Sequence, residues 1–235
     1  MFWPLLSESD REATRAAGTV RVFERDSTLF LEGDPPSHVI IILNGRVKLT
    51  RASPSGYEIL IELRGPGNVI GELGPLDNSP RIATATVVSE LKSIVIPTAR
   101  YQQLLLERPR ITLAVLSLVS EKLRQATDRR LAAGTSSVTS RLAGRLIELV
   151  GPAEPNDDGI IEIDSPLTQQ EMAEWVGASR DAVVNALRTM REFGWIDTGR
   201  RSIRIRDLRA LAHHSTEAAP RFSPLDSTSK SKQSG

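Results

Sequence analysis

Apolar and polar positions change period once along this chain, near residue 99. Before that point the apolar residues come in short β-rich runs, at 20–23, 28–31, 39–43, 47–50, 59–63, 83–88 and 94–96. Turn-forming clusters separate them: Gly33-Asp34-Pro35-Pro36, Asn44-Gly45, Pro54-Ser55-Gly56 and Gly65-Pro66-Gly67-Asn68. About seven short strands at this spacing predict a small antiparallel sandwich or barrel. Asn44-Gly45 is the sharpest hairpin signal, because both residues tolerate positive φ. After residue 99 the spacing becomes helical. A short helix is expected over 101–106, and Pro109 suits the start of a longer one. There Leu116, Val119, Leu123 and Ala126 recur at 3-4-3 spacing, the stripe of a helix that packs on another helix or covers the strands. The pattern stops near Ala132-Ala133-Gly134-Thr135-Ser136-Ser137, where Gly134 suggests a hinge.

A second unit follows. Residues 138–150 form an amphipathic pattern with Leu142, Leu146, Leu149 and Val150 on one side. A Pro/Asp/Gly-rich loop over 151–159 and a short strand over 160–163 lead to two helices and a terminal hairpin. From Ser215 onward the composition is Ser-, Pro- and Lys-rich, which predicts a disordered tail.

Composition narrows the chemistry. Lys+Arg is 30 against 29 Asp+Glu, so the chain as a whole is not a basic nucleic-acid coat protein. There is no cysteine, which excludes disulfides, thiol catalysis and cysteine-held zinc or iron–sulfur groups. The three histidines, His38, His213 and His214, do not suggest a metal or haem site. No stretch approaches the roughly 20 apolar residues of a membrane span. The N-terminus has no basic segment of a signal peptide, so a cytoplasmic protein is expected.

Local charge is uneven. Eight arginines face four acids over 177–209, whereas 151–176 holds seven acids and no base. A nearly neutral chain thus contains a segment suited to phosphates. Within it, Thr168 and Glu171 form a capping-box pattern, Gly177 suits a tight turn, and Ser179 can cap the next helix. At 100° per residue that helix, 180–192, turns Ala182, Val183, Ala186, Leu187, Met190 and Phe193 to one side. Arg180, Asp181, Val184, Asn185, Arg188 and Arg191 fall on the other, the arrangement a major-groove reader needs. Trp195 to Arg206 reads as a winged hairpin with Ile203 and Ile205 inward and Arg204 and Arg206 outward.

The stretch from Leu167 to Val183, LTQQEMAEWVGASRDAV, resembles the helix-turn-helix of the cyclic-AMP receptor protein and fumarate–nitrate regulator (Crp/Fnr) superfamily of bacteria. The resemblance runs from about Leu5 to Leu211. It implies an α+β architecture: an N-terminal cyclic-nucleotide-binding-type β-barrel over 1–108, a long dimerisation helix over 109–134 and a winged helix-turn-helix over 135–212, with the tail at 213–235. It implies DNA contacts from Thr168, Gln169, Gln170, Ser179, Arg180, Asp181, Val184, Asn185, Arg188, Arg201 and Arg204. Arg180 would read a guanine. Asp181 stands where an acidic reader, usually Glu, is found, and Asn185 where the best-known member has an arginine. The implied partners are double-stranded DNA with a two-fold operator, a second copy of the chain and RNA polymerase, with no membrane.

The segments Gly71-Glu72-Leu73-Gly74 and Pro80-Arg81-Ile82-Ala83-Thr84 resemble the phosphate-binding cassette of cyclic-nucleotide-binding domains. A buried cyclic phosphate wants a guanidinium, here Arg81. A ribose hydroxyl wants an acceptor, here Glu72, and backbone amides after Gly71 can add to the phosphate contacts. The resemblance assigns Gly71, Glu72, Leu73, Arg81, Ile82, Ala83 and Thr127 to the effector site, with cyclic AMP as the candidate. Two positions depart from the pattern: Ile82 replaces a hydroxyl residue, and Ala126 lies where purine contacts occur. The cassette is therefore compatible with cyclic-nucleotide control and with effector-independent DNA binding, in which Glu72 and Arg81 would pair with each other. The expected function is a sequence-specific transcription regulator rather than an enzyme, since no catalytic triad, metal cluster or phosphate-binding glycine loop occurs. The alternative is a regulatory cyclic-nucleotide-binding subunit, which would have no use for the Arg180 helix and wing.

Overall fold

The computed structural model describes residues 1–53, 58–150, 155–156, 158–164, 167–199 and 202–216. A first unit holds α1 (Glu8–Ala16) and eight strands: β1 (Thr19–Phe23), β2 (Thr28–Phe30), β3 (His38–Asn44), β4 (Val47–Ala52), β5 (Glu58–Arg64), β6 (Val69–Ile70), β7 (Thr84–Val87) and β8 (Leu91–Pro97). A short helix, α2 (Gly74–Asp77), separates β6 from β7. Two antiparallel four-stranded sheets result, in the orders β1-β8-β3-β6 and β2-β7-β4-β5. They face each other as a jelly-roll-like sandwich, and do not close into the barrel that the sequence left open.

The continuous apolar run of β3 has a physical reason. Ile40 and Ile42 point between the sheets, against Val47, Ala85 and Val87. Val39 and Ile41 point the other way, into a core formed with Phe2, Tyr101, Leu104 and Ile111. A strand covered on both faces reads as solid hydrophobicity rather than alternation.

The Asn44-Gly45 turn is present, with Gly45 at φ +85, but it closes no hairpin. β3 pairs with β8 and β6, and β4 pairs with β7 and β5, so the turn carries the chain from one sheet to the other. α1 was absent from the sequence reading because its buried side is polar. Thr14 and Asp10 are the inward residues, and the Thr14 hydroxyl donates to the Asp10 carbonyl at 2.6 Å. The turn over 54–57 lies outside the described residues.

α3 (Thr98–Glu107) and α4 (Pro109–Thr135) follow. Ile111, Ala114, Val115 and Leu118 bury one side of α4 against the sandwich. The opposite side exposes Leu113, Leu116, Leu123 and Leu131, at 62%, 55%, 69% and 56%. Val119, expected in this stripe, instead packs toward the sandwich core. Gly134 lies inside α4 and is not the break. The chain bends at Ser136-Ser137, where the Ser137 hydroxyl accepts from the Ser140 amide at 3.0 Å and starts the next helix.

The second unit contains α5 (Val138–Val150), β9 (Ile161–Asp164), α6 (Gln169–Val176), α7 (Arg180–Glu192), β10 (Ile196–Gly199), β11 (Ser202–Ile205) and α8 (Leu208–Thr216). β9 joins the expected hairpin as a third strand, in the order β10-β11-β9. α8 packs against α5 and fully buries Leu211. It keeps Ser215 and Thr216 helical, so the tail expected from Ser215 starts later than the composition suggests; residues 217–235 lie outside the described ones. No described helix is long and apolar enough to cross a membrane.

The two units touch. Leu60, Leu63 and Val88 of the sandwich belong to the same apolar cluster as Met172 and Val176 of α6. The Lys48 ammonium lies 3.0 Å from the Glu171 carboxylate, and Arg46 donates to the Leu149 carbonyl at 3.0 Å.

Candidate DNA-reading face and sensor cassette

The reading end is built by local capping. Thr168 accepts from the Glu171 amide at 3.1 Å, and the Glu171 carboxylate accepts from the Thr168 amide at 2.8 Å, a full capping box. Gly177 ends α6 at φ +67, and Ser179 starts α7 by accepting from the Ala182 amide at 3.2 Å. Two arginines that the sequence reading passed over complete this turn. Arg141 of α5 donates to the carbonyls of Val176 (2.9 Å), Gly177 (3.2 Å) and Ser136 (2.6 Å). Arg145 donates to the Trp175 carbonyl at 3.1 Å and lies over the Trp175 ring, with Cζ 4.9 Å from its centre. Carbonyls at a helix C-terminus lack intrahelical donors, and here cations complementary to the helix dipole supply them.

The predicted two-sidedness of α7 holds for most positions. Val183, Ala186, Leu187 and Met190 are buried. Arg180, Asp181, Asn185 and Arg188 are exposed, and Val184 is half-buried. Ala182 is only half-buried, and Phe193 departs from its expected place. Phe193 follows the last helical turn, is 66% exposed and stacks on Trp195 at 5.2 Å. Ser179, Thr168, Gln169 and Gln170 are exposed at the adjoining helix starts. Arg180 reaches Gln169 at 3.4 Å, Arg188 donates to Asn185 at 2.9 Å, and Gln170 donates to Glu174 at 3.0 Å. The candidate readers thus orient one another on one face.

In the wing, Ile203 and Ile205 are buried and Arg204 and Arg206 exposed, as the alternation requires. Both arginines have acidic partners: Arg204 meets Glu162 of β9 at 3.4 Å, and Arg206 meets Asp197 at 2.6 Å. The wing is less cationic than its arginine count suggests. Arg201 lies outside the described residues.

The cassette residues lie between β6 and β7. Glu72 and Arg81 are buried, as is Ala83; Leu73 is half-buried and Ile82 is 63% exposed. Arg81 donates to the Gly71 carbonyl at 2.7 Å and to the His38 carbonyl, and its Cζ lies 4.3 Å from the centre of the Phe30 ring. Gly71 sits at φ +73, and a Cβ there would come within 2.5 Å of the Arg81 guanidinium. Glycine is therefore what lets the arginine lie in this place. Burial lowers the Arg81 pKa, while the Glu72 and Asp34 charges oppose that shift.

The Glu72–Arg81 pair of the effector-independent alternative is not formed. Glu72 is held instead by Lys122 of α4, with Nζ 2.5 Å from the carboxylate. A lysine one helix away leaves no local signature, which is why the sequence reading missed it. Thr127, five positions further, is exposed and donates its hydroxyl to the Leu123 carbonyl at 3.0 Å. Five residues turn a helix by roughly 140° from Lys122, so the two do not share a face. The donor set still suits an anion, because Arg81 Nε is buried with no partner.

Comparison with known proteins covers both units. Residues 20–108 match the family model for the cyclic nucleotide-binding domain, and residues 140–214 match that for the Crp-like helix-turn-helix domain. A CRP-like cAMP-activated global transcriptional regulator of Mycobacterium tuberculosis is 32% identical over 190 residues, 81% of this chain and 85% of the relative. The global nitrogen regulator of Synechocystis is 30% identical over 200 residues, 84% of this chain and 88% of the relative. Among solved structures, FixK2 from Bradyrhizobium japonicum superposes with a TM-score of 0.72 at 19% identity, covering 86% of this chain and 99% of that one.

Proposed function

The chain belongs to the Crp/Fnr family of DNA-binding transcription regulators, and from that premise we propose how it works: as a homodimer that reads a two-fold operator through α7. Arg180, Asp181, Val184, Asn185 and Arg188 take the base edges. Thr168, Gln169, Gln170, Ser179 and the wing residues Arg201 and Arg204 hold the phosphates. The observation that carries this reading is the α7 face, where exposed hydrogen-bonding side chains back onto a buried apolar side. In this reading the sandwich over 1–108 senses, α4 dimerises and 135–212 reads DNA, and RNA polymerase is the partner in the cytoplasm.

Cyclic AMP is the proposed effector. The name of the Mycobacterium tuberculosis relative supports it, and so does the unpartnered Arg81 Nε beside the buried Glu72. Arg81 would hold the phosphate, aided by backbone amides near Leu73 and Ala83, and Glu72 would accept from the ribose. Lys122 must then share or release Glu72, which ties the cassette to the dimerisation helix. The effector-independent reading is favoured by one observation, that Lys122 already satisfies Glu72.

One experiment separates the two. Operator affinity is measured on duplexes selected from a random pool, with and without saturating cyclic AMP. A change above about tenfold, or about 1.4 kcal/mol of coupling, supports effector control, because a ligand shifts a conformational equilibrium only through differential affinity. Loss of that change in Arg81→Ala assigns it to the cassette. An unchanged affinity overturns the cyclic-AMP reading. Failure to enrich any sequence from the pool overturns the assignment of α7 to base reading.

A further inference from the structure

The outer face of the three-stranded sheet in the reading unit carries charges of alternating sign. Arg204 of β11 lies directly across from Asp197 of β10 on one side and from Glu162 of β9 on the other. Directly opposed residues of an antiparallel sheet share a face, so these three form one outward row. Ile203 and Ile205, next to Arg204 in the strand, are buried on the opposite face. Arg206 extends the row, with Nη2 2.6 Å and Nε 2.7 Å from the same Asp197 oxygen. Arg204 Nε lies 3.4 Å from Glu162. The order is Arg206, Asp197, Arg204, Glu162, and the charges sum to zero.

Such a balance is not what a phosphate-holding surface needs. Affinity for any duplex grows with the number of phosphates that lysines and arginines neutralise. Here a phosphate approaching either guanidinium meets a carboxylate already beside it. Glu162 does little to aim Arg204, since its contact is single and longer than the roughly 2.9–3.0 Å of a good N–H···O bond. Asp197 errs in the other direction. It takes two donors of Arg206 on one oxygen, and this pair lowers the Asp197 pKa and raises that of Arg206. Neither acid is there to neutralise a buried cation, because the side chains of Arg204 and Arg206 are 54% and 51% exposed.

We propose that Glu162 and Asp197 are restraining residues of the wing. They hold Arg204 and Arg206 against the sheet and keep the electrostatic grip on DNA weak, so that duplexes lacking the operator are released readily. A phosphate must displace Glu162 from Arg204 or share the guanidinium with it. The inference rests on the assignment of Arg204 to a phosphate contact.

The test is a fluorescence-anisotropy titration of the full chain on a selected operator and on a scrambled duplex, repeated at several salt concentrations. Glu162→Gln and Asp197→Asn should each tighten binding to both duplexes by about threefold or more. Each should also steepen the fall of log affinity with log salt by about 0.9, the share of one further phosphate. Glu12→Gln, which removes the same charge from an exposed position of α1, should do neither. In an Arg204→Ala background Glu162→Gln should lose its gain, since paired residues are coupled. Unchanged or weaker binding by Glu162→Gln, while Arg204→Ala weakens both duplexes, overturns the restraint and leaves the phosphate contact standing. A gain that persists without Arg204 also overturns it, by showing that Glu162 repels DNA directly. Arg204→Ala without effect on either duplex removes the phosphate contact itself, and the restraint with it. Should Glu162→Gln disturb the sheet, Asp197→Asn with and without Arg206→Ala carries the same comparison.

Discussion

Truncating Leu123 should weaken dimerisation far more than its place on a solvated helix face suggests. Leu123 is 69% exposed in the single chain, in line with Leu116 one heptad earlier and near Leu113. Fully burying a leucine is worth about 1.5–3 kcal/mol. Covering the surface that Leu123 leaves open is then worth about 1–2 kcal/mol per copy. Two-fold symmetry doubles every such contact, so Leu123→Ala should cost about 2–4 kcal/mol per dimer, or roughly 30- to 700-fold in the dimer dissociation constant. Leu123→Glu, which also places two like charges in the seam, should be monomeric at micromolar concentration. Sedimentation equilibrium reads both. Leu106 of α3 is the control: it is 84% exposed but lies off the stripe, and Leu106→Ala should dissociate like the parent. A Leu123→Ala dimer within about threefold of the parent would refute the assignment of this face to the seam.

Three further outcomes follow from the geometry. Arg180→Ala should lose roughly 1–3 kcal/mol on a selected operator and much less on a scrambled duplex, while Arg204→Ala should weaken both alike; equal losses for Arg180→Ala would remove it from base reading. Arg141→Ala strips donors from three carbonyls and should lower stability by about 2–3 kcal/mol in urea denaturation; a change below about 0.5 kcal/mol would show that the clamp is idle. Glu171 is pushed up by burial, but hydrogen bonds from the Thr168 amide and Lys48 outweigh this and hold its pKa below the ordinary value. Its contribution is therefore present above about pH 4.3 and is lost as the pH falls through the lower folded value. The parent should lose more stability than Lys48→Met between about pH 5 and 3, and superimposable pH profiles would contradict this role of Lys48.

The reading unit was legible where its signals are local. Thr168, Glu171, Gly177 and Ser179 act within three residues of themselves, so spacing alone predicts their hydrogen bonds. The strands of the sandwich were legible because their apolar runs are short and punctuated. Their pairing was not, since the Asn44-Gly45 turn looks the same whether it folds β4 onto β3 or sends it to the opposite sheet. Lys122 and Glu72 are 50 residues apart, and Arg141 and Val176 are 35 apart. Such partners are chosen by the packing of whole elements, and no pattern along the chain encodes them. α8 was hidden for another reason: its buried anchor Leu211 stands among alanines and histidines, whose composition differs little from that of a tail.

The Arg141 side chain has a mechanical meaning. One guanidinium grips Ser136, at the bend between α4 and α5, together with Val176 and Gly177, at the turn between α6 and α7. The bend and the turn are thereby parts of one lever. Rotation at 136–137 moves the recognition helix bodily instead of reshaping it. A signal arriving through α4 would then change how often the helix is presented to DNA while leaving its base preference intact. Occupancy at strong and weak operators would scale together, and the ranking of sites along a genome would be written in α7 alone.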